Sequence, residues 1–276
     1  MRYFLTPLLA MCLMHGNAQN LHLTLFGGYA NYQGDLQDKR YTARQAHAAF
    51  GGGLLYEISN HISARANITV GTISAGDSIG INKERNLSFS SPITDFHLGI
   101  EYSLLDIYQK GFTPYLFAGL SYFHFNPSAI DASGTKVFLQ PLGTEGQGFY
   151  AGRKKYKLDQ FSIPFGGGVK MAVGDNIRVG LEIGMRKTNT DYLDDVSDTY
   201  ADKTALQAFS GAKAVQMAFR SGEIKSSLTY PDAGAKRGSA KNKDWYYFTG
   251  VTLSYSFHTS GGGSGRSSKL GCPIRM

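Results

Sequence analysis

The sequence predicts an all-β fold, an eight-stranded antiparallel up-and-down transmembrane β-barrel with short periplasmic turns and long extracellular loops. The composition is the first reason, since 276 residues include 34 Gly, 17 Tyr and 17 Phe and the charged fraction is 18%, below the roughly 25% of ordinary soluble domains. The second reason is a set of segments in which apolar and polar residues alternate. The third is that short and long connections alternate between those segments, as they do in outer-membrane barrels.

The first residues of the chain predict export. They hold a basic start at Arg2, an apolar stretch and a small residue at Ala18, which together are typical of a secretory signal peptide cleaved after that alanine. A lipoprotein signal would use Cys12 instead, but Met11 is larger than the residue that such signals carry before the cysteine. The predicted domains are a signal peptide at 1–18, an outer-membrane β-barrel at 19–258 and a flexible Gly/Ser-rich tail at 259–276.

The strand signal is clear in residues 61–72, "HISARANITVGT". Ile62, Ile68 and Val70 alternate there with polar residues such as Arg65, and successive side chains on a strand point to opposite faces. A soluble β-sandwich also alternates, with its apolar face inward, but the export signal and the strand length favour a barrel whose apolar face meets lipid. The eight predicted strands span residues 20–30, 46–58, 61–72, 92–105, 113–125, 160–173, 177–188 and 244–257.

The connections predict which end of the barrel faces which compartment. Residues 59–61, 105–112 and 174–176 are short, and short turns face the periplasm in outer-membrane barrels. The long connections therefore face outward. They cover residues 31–45, 73–91, 126–159 and 189–243.

The barrel interior is predicted to be filled by side chains. Eight strands enclose a lumen just wide enough for side chains, without an aqueous channel, so a diffusion pore is not expected. Charges of both signs at inward positions are expected to pair, because an unpaired buried charge is costly. A proton or ion path through these charges is the alternative. The predicted lumen charges are Arg65, Asp95, Glu101, Lys170, Arg178, Glu182 and Arg186.

The sequence predicts no catalytic, cofactor-binding or metal-binding residues. Some small outer-membrane barrels modify lipids, so Ser121 and His124 are candidates for a nucleophile and its base. Their odd spacing on a strand places them on opposite faces. The histidines of the predicted mature chain are scattered, without the spacing of metal ligands.

Residues 190–204, "TDYLDDVSDTYADKT", carry five aspartates just after the seventh predicted strand. Their spacing differs from that of an EF-hand calcium loop. It favours one face of a short helix, or aspartates that cap backbone amides in a packed loop. A divalent ion shared with lipopolysaccharide phosphates and a catalytic role are the alternatives. The predicted signature loop consists of Asp191, Tyr192, Leu193, Asp194, Asp195, Val196 and Ser197.

Two outward connections are basic. Residues 203–243 hold eight Lys or Arg against Glu223 and Asp232, a net charge of +6, and residues 152–157, "GRKKYK", add a second basic cluster. Fixed positive charge attracts anionic surfaces. We therefore expect these loops to meet lipopolysaccharide phosphates, whereas nucleic acid does not fit the compartment.

Several longer stretches resemble one family. They are "TPYLFAGLSYFHFNPSA", "LQPLGTEGQG", "IPFGGGVKMAV", "GLEIGMRKTNTDYLDDVSDTYAD" and "DWYYFTGVTLSYSF", in this order. Over residues 20–258 the chain resembles a Bacteroidetes family of small outer-membrane β-barrels that includes PorG of the type IX secretion system. The Gly/Ser-rich tail departs from that family, whose chains end near the final aromatic strand residue, here Phe257.

The resemblance implies a non-enzymatic component of type IX protein transport. Such a barrel would associate with the periplasmic ring of the lipoprotein PorK and PorN, so the short turns and the tail are the candidate contact surfaces. The alternative function is that of a stand-alone small barrel that binds a hydrophobic ligand or lipopolysaccharide, or that modifies lipid as an enzyme.

Overall fold

A computed structural model describes residues 20–37, 39, 41–79 and 82–257. The predicted signal peptide and the tail at 259–276 lie outside the described residues. The described chain contains ten β-strands, namely β1 (Leu21–Gln33), β2 (Ala46–Glu57), β3 (Ile62–Gly76), β4 (Ser88–Ser103), β5 (Phe112–Phe125), β6 (Ser128–Ile130), β7 (Lys136–Phe138), β8 (Asp159–Val173), β9 (Ile177–Thr188) and β10 (Trp245–Ser256). It also contains the α-helices α1 (Ile107–Lys110) and α2 (Lys203–Ala218).

Eight of the described strands close into an antiparallel barrel, which confirms the predicted fold class. Their order is β3-β2-β1-β10-β9-β8-β5-β4, and a further pairing between β3 and β4 closes the ring. That closing ladder runs without interruption from the pair Ile62–Tyr102 to the pair Gly76–Ser88. Strands β6 and β7 form a small hairpin beside β4, outside the ring.

Three barrel strands extend further than predicted at the end that carries the long connections, the loop end. Strand β1 continues to Gln33 and β3 to Gly76, and β4 already begins at Ser88. The alternation fades there because both faces are covered: Asn31 and Tyr32 are neighbours in β1, yet both are 0% exposed.

The barrel is apolar on the outside and polar on the inside. The outward residues Phe50, Leu116 and Leu181 are 63%, 60% and 66% exposed, whereas the inward residues Arg65 and Glu182 are buried. A soluble sandwich has the opposite arrangement, and an apolar band over all eight strands is that of a barrel embedded in lipid. Among the described helices, none has the length and apolar character needed to cross a membrane.

The long connections fold into a compact lid, here called the loop cap, formed by the described residues of 34–45, 77–87, 126–158 and 189–244. Leu193, Val196 and Met217 from the longest connection are almost completely buried against Tyr32 and Phe123 of the barrel wall. The main hydrophobic cluster of the described chain therefore lies where the cap meets the loop end. The cap closes that end with an apolar plug.

Candidate functional site

The seven predicted lumen charges all lie buried inside the barrel. Within the described lumen they form a balanced set with Glu57, which the sequence reasoning did not single out. Four carboxylates face four cations, so the described lumen has no net charge. The carboxylates are Glu57, Asp95, Glu101 and Glu182, and the cations are Arg65, Lys170, Arg178 and Arg186.

Arg65 on β3 is the centre of the middle layer. Its guanidinium donates to both oxygens of Glu182 at 3.0 and 3.1 Å and lies 3.5 Å from Glu101. Lys170 donates to the other oxygen of Glu101, and the Tyr115 hydroxyl donates to Glu182 at 2.8 Å. Such bidentate, charge-assisted bonds compensate for removing these groups from water.

Glycine makes room for that layer. A Cβ at Gly168 on β8 would lie 2.8 Å from the hydroxyl oxygen of Tyr115, so only glycine allows this ring to cross the lumen and reach Glu182. The glycine run "FGGGVKMA" thus serves close packing inside a narrow barrel. It lies on a strand, unlike the strand-to-helix loop of a phosphate cradle.

A second layer closes the end that carries the short connections, the turn end. Glu57 accepts from both Arg178 and the Tyr108 hydroxyl, and Arg178 also donates to the Tyr108 oxygen at 2.9 Å. The Asp106 carboxylate holds Tyr108 in place, because it accepts from the Tyr108 amide at 2.9 Å as the N-cap of α1. His22 lies 3.4 Å from Glu57.

A third layer lies towards the loop end. Asp95 accepts from the Tyr246 hydroxyl at 2.6 Å and lies 3.6 Å from Arg186. Ser121 also points into this layer, 3.4 Å from Asp95. His124 lies on the opposite face, where it is exposed and 2.9 Å from Asp159. Ser121 and His124 therefore form no nucleophile and base pair.

The lumen leaves little free space. The cavity among the central charges measures about 40 Å³, which is room for one or two water molecules. The charges are paired in a lumen that side chains nearly fill.

The acidic stretch after β9 forms turns, so the open alternative of a short helix is excluded for residues 191–201. Asp202 is the N-cap of α2 and accepts from the Ala205 amide at 2.8 Å. Asp195 has a left-handed φ of 65°, and its carboxylate accepts from Thr144 at 2.6 Å and Tyr156 at 2.7 Å. The stretch is therefore a packed and capped loop.

The buried Arg237 side chain ties this loop to Glu145. It donates to Glu145 at 2.9 Å and to the Asp195 carbonyl oxygen at 2.6 Å, while Glu145 accepts from the Ser197 and Asp198 amides at 3.0 Å. Burial raises the pKa of Asp195 to about 6. Burial alone would lower the pKa of Arg237, but the carboxylates of Glu145 and Asp195 raise it above its ordinary value.

The family can now be stated. The family model described as "Domain of unknown function (DUF6089)" matches residues 1–142, about half of the 276 residues. The chain belongs to the DUF6089 family. A comparison of this DUF6089 barrel with curated proteins finds no match.

Solved structures of small barrels resemble this DUF6089 member in overall shape. Neisserial surface protein A has 10% identity and a TM-score of 0.44, covering 86% of this chain and 97% of its own. OprG of Pseudomonas aeruginosa has 10% identity and a TM-score of 0.40, with 86% and 97% covered. The protease OmpT of Escherichia coli has 11% identity and a TM-score of 0.37, with 87% and 98% covered. At TM-scores below 0.5 these likenesses carry no information on activity.

The basic loop of the DUF6089 barrel is partly neutralised from within. Lys213 pairs with Asp131, Arg220 pairs with Glu223 and Arg237 is buried on Glu145, so each of these three cations already has an anionic partner. Among the described residues, no three His, Cys, Asp or Glu side chains lie together as metal ligands would. The exposed lysines of this loop that form no ion pair among the described residues are Lys203, Lys225, Lys236, Lys241 and Lys243.

Asp195→Ala is expected to destabilise the loop cap of this DUF6089 member by about 1–3 kcal/mol. Alanine leaves the buried hydroxyls of Thr144 and Tyr156 without an acceptor and is strained at the left-handed φ. Asp195→Asn should cost less, because asparagine tolerates this φ and keeps one oxygen. The free energy of unfolding in guanidinium checks both variants, with half-exposed Asp198→Ala as the control. Equal losses for Asp195→Ala and Asp198→Ala would contradict the expectation.

Proposed function

We propose that this protein is a non-enzymatic outer-membrane barrel that organises a periplasmic assembly, as a PorG-like component of the type IX secretion system. The observation that carries the proposal is a shaped cleft at the turn end of a barrel whose lumen is nearly filled by side chains. The lumen is filled, and the loop cap closes the opposite end with an apolar plug. A barrel of this kind serves best as an anchor whose useful surface is periplasmic.

The turn end has a shaped and rigid surface that suits a protein partner. A cleft of about 860 Å³ opens there between the strand ends and the short turns. Asn60 donates to the N-cap residue Asp106 at 2.9 Å, which ties two of the turns together. Ile58 and Tyr108 are 58% and 54% exposed at this cleft, and apolar and aromatic residues of this kind are frequent anchors in interfaces. The PorK and PorN ring is the partner that the sequence resemblance suggests.

Ile58→Ser tests this function. The tagged full-length protein is solubilised from outer membranes in mild detergent, and attached proteins are identified by mass spectrometry. We expect the wild type to recover the PorK and PorN pair. The amount recovered with Ile58→Ser should be at least about tenfold lower, equivalent to about 1.4 kcal/mol of binding free energy. Ile224→Ser is the matched control, because Ile224 is also 58% exposed but lies in the loop cap. Recovery of the wild-type barrel without protein partners would reject the proposal.

A second candidate function, lipopolysaccharide binding at the loop end, is favoured by five lysines of the longest loop that are exposed and form no ion pair among the described residues. Reversing three of them, Lys236→Glu, Lys241→Glu and Lys243→Glu, should reduce the lipopolysaccharide that co-purifies with the barrel, since fixed charge attracts anions. Reversal of the turn-end residue Lys110 is the control. Unchanged co-purification in the triple variant would exclude these lysines as a lipopolysaccharide site.

A further inference from the structure

Tyr32, Asp194 and Asp244 meet beneath the loop cap in a fully buried contact. The Tyr32 hydroxyl lies 2.8 Å from Asp194 Oδ2 and 3.0 Å from Asp244 Oδ1. The second oxygen of Asp194 accepts from the Val196 amide, and that of Asp244 accepts from the Leu193 amide, both at 2.9 Å. Each carboxyl group therefore has one oxygen on a backbone amide and the other on the same phenol.

If both carboxyl groups are ionised, one phenol hydrogen has to serve two short oxygen–oxygen contacts. A phenol has one hydrogen and can donate it to only one carboxylate. The oxygen of the other carboxylate would then contact the Tyr32 oxygen with no hydrogen between them, and that contact is repulsive. One further proton satisfies the arrangement, because a neutral carboxyl group can donate to the Tyr32 oxygen while Tyr32 donates to the other carboxylate. Two carboxylates that share a site hold a proton for the same reason.

The surrounding charge also favours a bound proton. Among the described residues of the cap, seven buried carboxyl groups stand against three arginines that are buried or nearly so. All three arginines are already paired, Arg85 with Asp77, Arg220 with Glu223 and Arg237 with Glu145. No described cation forms an ion pair with Asp194 or Asp244. The carboxyl groups are Asp77, Asp131, Glu145, Asp191, Asp194, Asp195 and Asp244. The other charged groups that act on Asp194 or Asp244 are Asp35, Arg85 and Asp191. Beyond them, Glu145 and Lys243 face Asp191, and Glu145 and Lys236 face Asp35.

The space at the contact suits a proton and excludes a larger cation. A Cβ at Gly34 would lie 1.9 Å from both the Tyr32 oxygen and Asp244 Oδ1, so the neighbouring backbone already fills the site. Burial raises the pKa of Asp194 and of Asp244 well above the ordinary value, and it raises the pKa of nearby Asp191 to about 7. Neither oxygen of Asp191 makes a hydrogen bond of good geometry among the described residues.

We propose that Asp194, Tyr32 and Asp244 form a proton-binding latch that holds the loop cap on the barrel. Tyr32 belongs to the wall strand β1, whereas Asp194 and Asp244 lie near the two ends of the connection 189–244. The shared proton therefore joins both ends of the longest loop to the wall. Opening of the latch would expose the apolar residues Leu193 and Val196, which are buried in the closed cap.

The direction of the pH dependence follows from proton linkage. The closed cap binds a proton that the opened cap, with ordinary carboxyl groups, releases above about pH 4. The latch is therefore strongest in acid and weakens as the pH rises towards the raised pKa of the pair. Within this window the equilibrium constant for cap closure should fall about tenfold per pH unit.

Hydrogen exchange tests the latch in the full-length protein in lipid vesicles. Exchange of the amides in residues 190–202 is followed by mass spectrometry from about pH 5 to about pH 9, a range chosen to span the window of linkage. Asp244→Asn mimics the neutral carboxyl group, because its amide donates to Tyr32 and its oxygen accepts from Leu193. At equal pH the intrinsic exchange rates cancel, so the ratio of wild-type to variant rates reports opening alone.

We expect a ratio that rises about tenfold per pH unit from the acid end of the range and levels off once the pH passes the raised pKa of the pair. Asp198→Asn, in the same loop but half-exposed, should follow the wild type. Asp194→Asn/Asp244→Asn should exchange faster at every pH, because the Tyr32 hydrogen then has no acceptor. The infrared band of a protonated carboxyl group should be present in the wild type at neutral pH and weaker in Asp244→Asn.

Two results would overturn the proposal. One is a wild-type to Asp244→Asn ratio that does not change with pH, together with an infrared band that the substitution leaves intact. The other is a change in wild-type exchange at constant pH when Ca²⁺ is added or chelated, because a divalent cation would then occupy the carboxyl groups. Latch failure and failure of the periplasmic function are distinguishable, since the pull-down with Ile58→Ser does not involve the cap.

Discussion

Arg237→Met is expected to destabilise the loop cap, with a loss of about 3–5 kcal/mol in the free energy of unfolding, the usual cost of breaking a buried ion pair by removing one partner. Methionine fills a similar volume, so the loss reports charge and hydrogen bonding more than packing. Without the guanidinium, Glu145 and Asp195 remain buried and face each other as like charges.

The pH dependence of this loss distinguishes charge from packing. Asp195, with its pKa of about 6, is largely protonated at about pH 5 and largely ionised at about pH 8. The cost of Arg237→Met should therefore be smaller at about pH 5, because the uncompensated charge is then reduced. A cost that is the same at both pH values would assign the effect to packing.

Guanidinium unfolding of the detergent-solubilised protein measures this prediction. Lys236→Met is the matched control, because Lys236 is the adjacent residue but is exposed and forms no ion pair among the described residues. It should change the free energy of unfolding by no more than about 0.5 kcal/mol, as surface substitutions usually do. Equal losses for the two variants would contradict the role assigned to Arg237.

Arg65→Met is expected to destabilise the barrel itself by about 3–5 kcal/mol, for the same reason. The substitution leaves Glu101 paired with Lys170 and leaves Glu182 without an ion-pair partner among the described residues. The described lumen charges then carry a net charge of −1 in place of zero.

A second substitution can restore that balance. In Arg65→Met/Glu182→Gln the glutamine removes the surplus negative charge and still accepts from the Tyr115 hydroxyl. We expect the double variant to regain a substantial part of the stability lost by Arg65→Met. Such non-additivity between contacting residues is what a double-mutant cycle detects. If the two losses simply added, the lumen charges would not act as a paired network.

Some residues of the candidate site could be predicted from the sequence and others could not, and the reason is geometric. The inward position of Arg65 follows from alternation alone, because the next residues on either side face lipid. Its partner Glu182 lies 117 residues further along the chain, and no local pattern encodes a contact at that separation. Tyr108 lies in a turn, where alternation carries no information. Glu57 continues the inward face of Leu55 in β2, so alternation could have found it.

Local periodicity and turn chemistry are enough to predict the barrel, with its eight strands, their inward and outward faces and the short turns. The arrangement of the long connections depends on contacts that form only in the folded chain. Their apolar residues lack strand or helix periodicity, so nothing in the sequence shows that Leu193 and Met217 plug the barrel. The same holds for the aspartates, since the meeting of Asp194 and Asp244 on one tyrosine depends on where the loop ends dock. Contacts between distant segments arise from burial of apolar surface and pairing of polar groups in three dimensions, and these are properties of the folded chain.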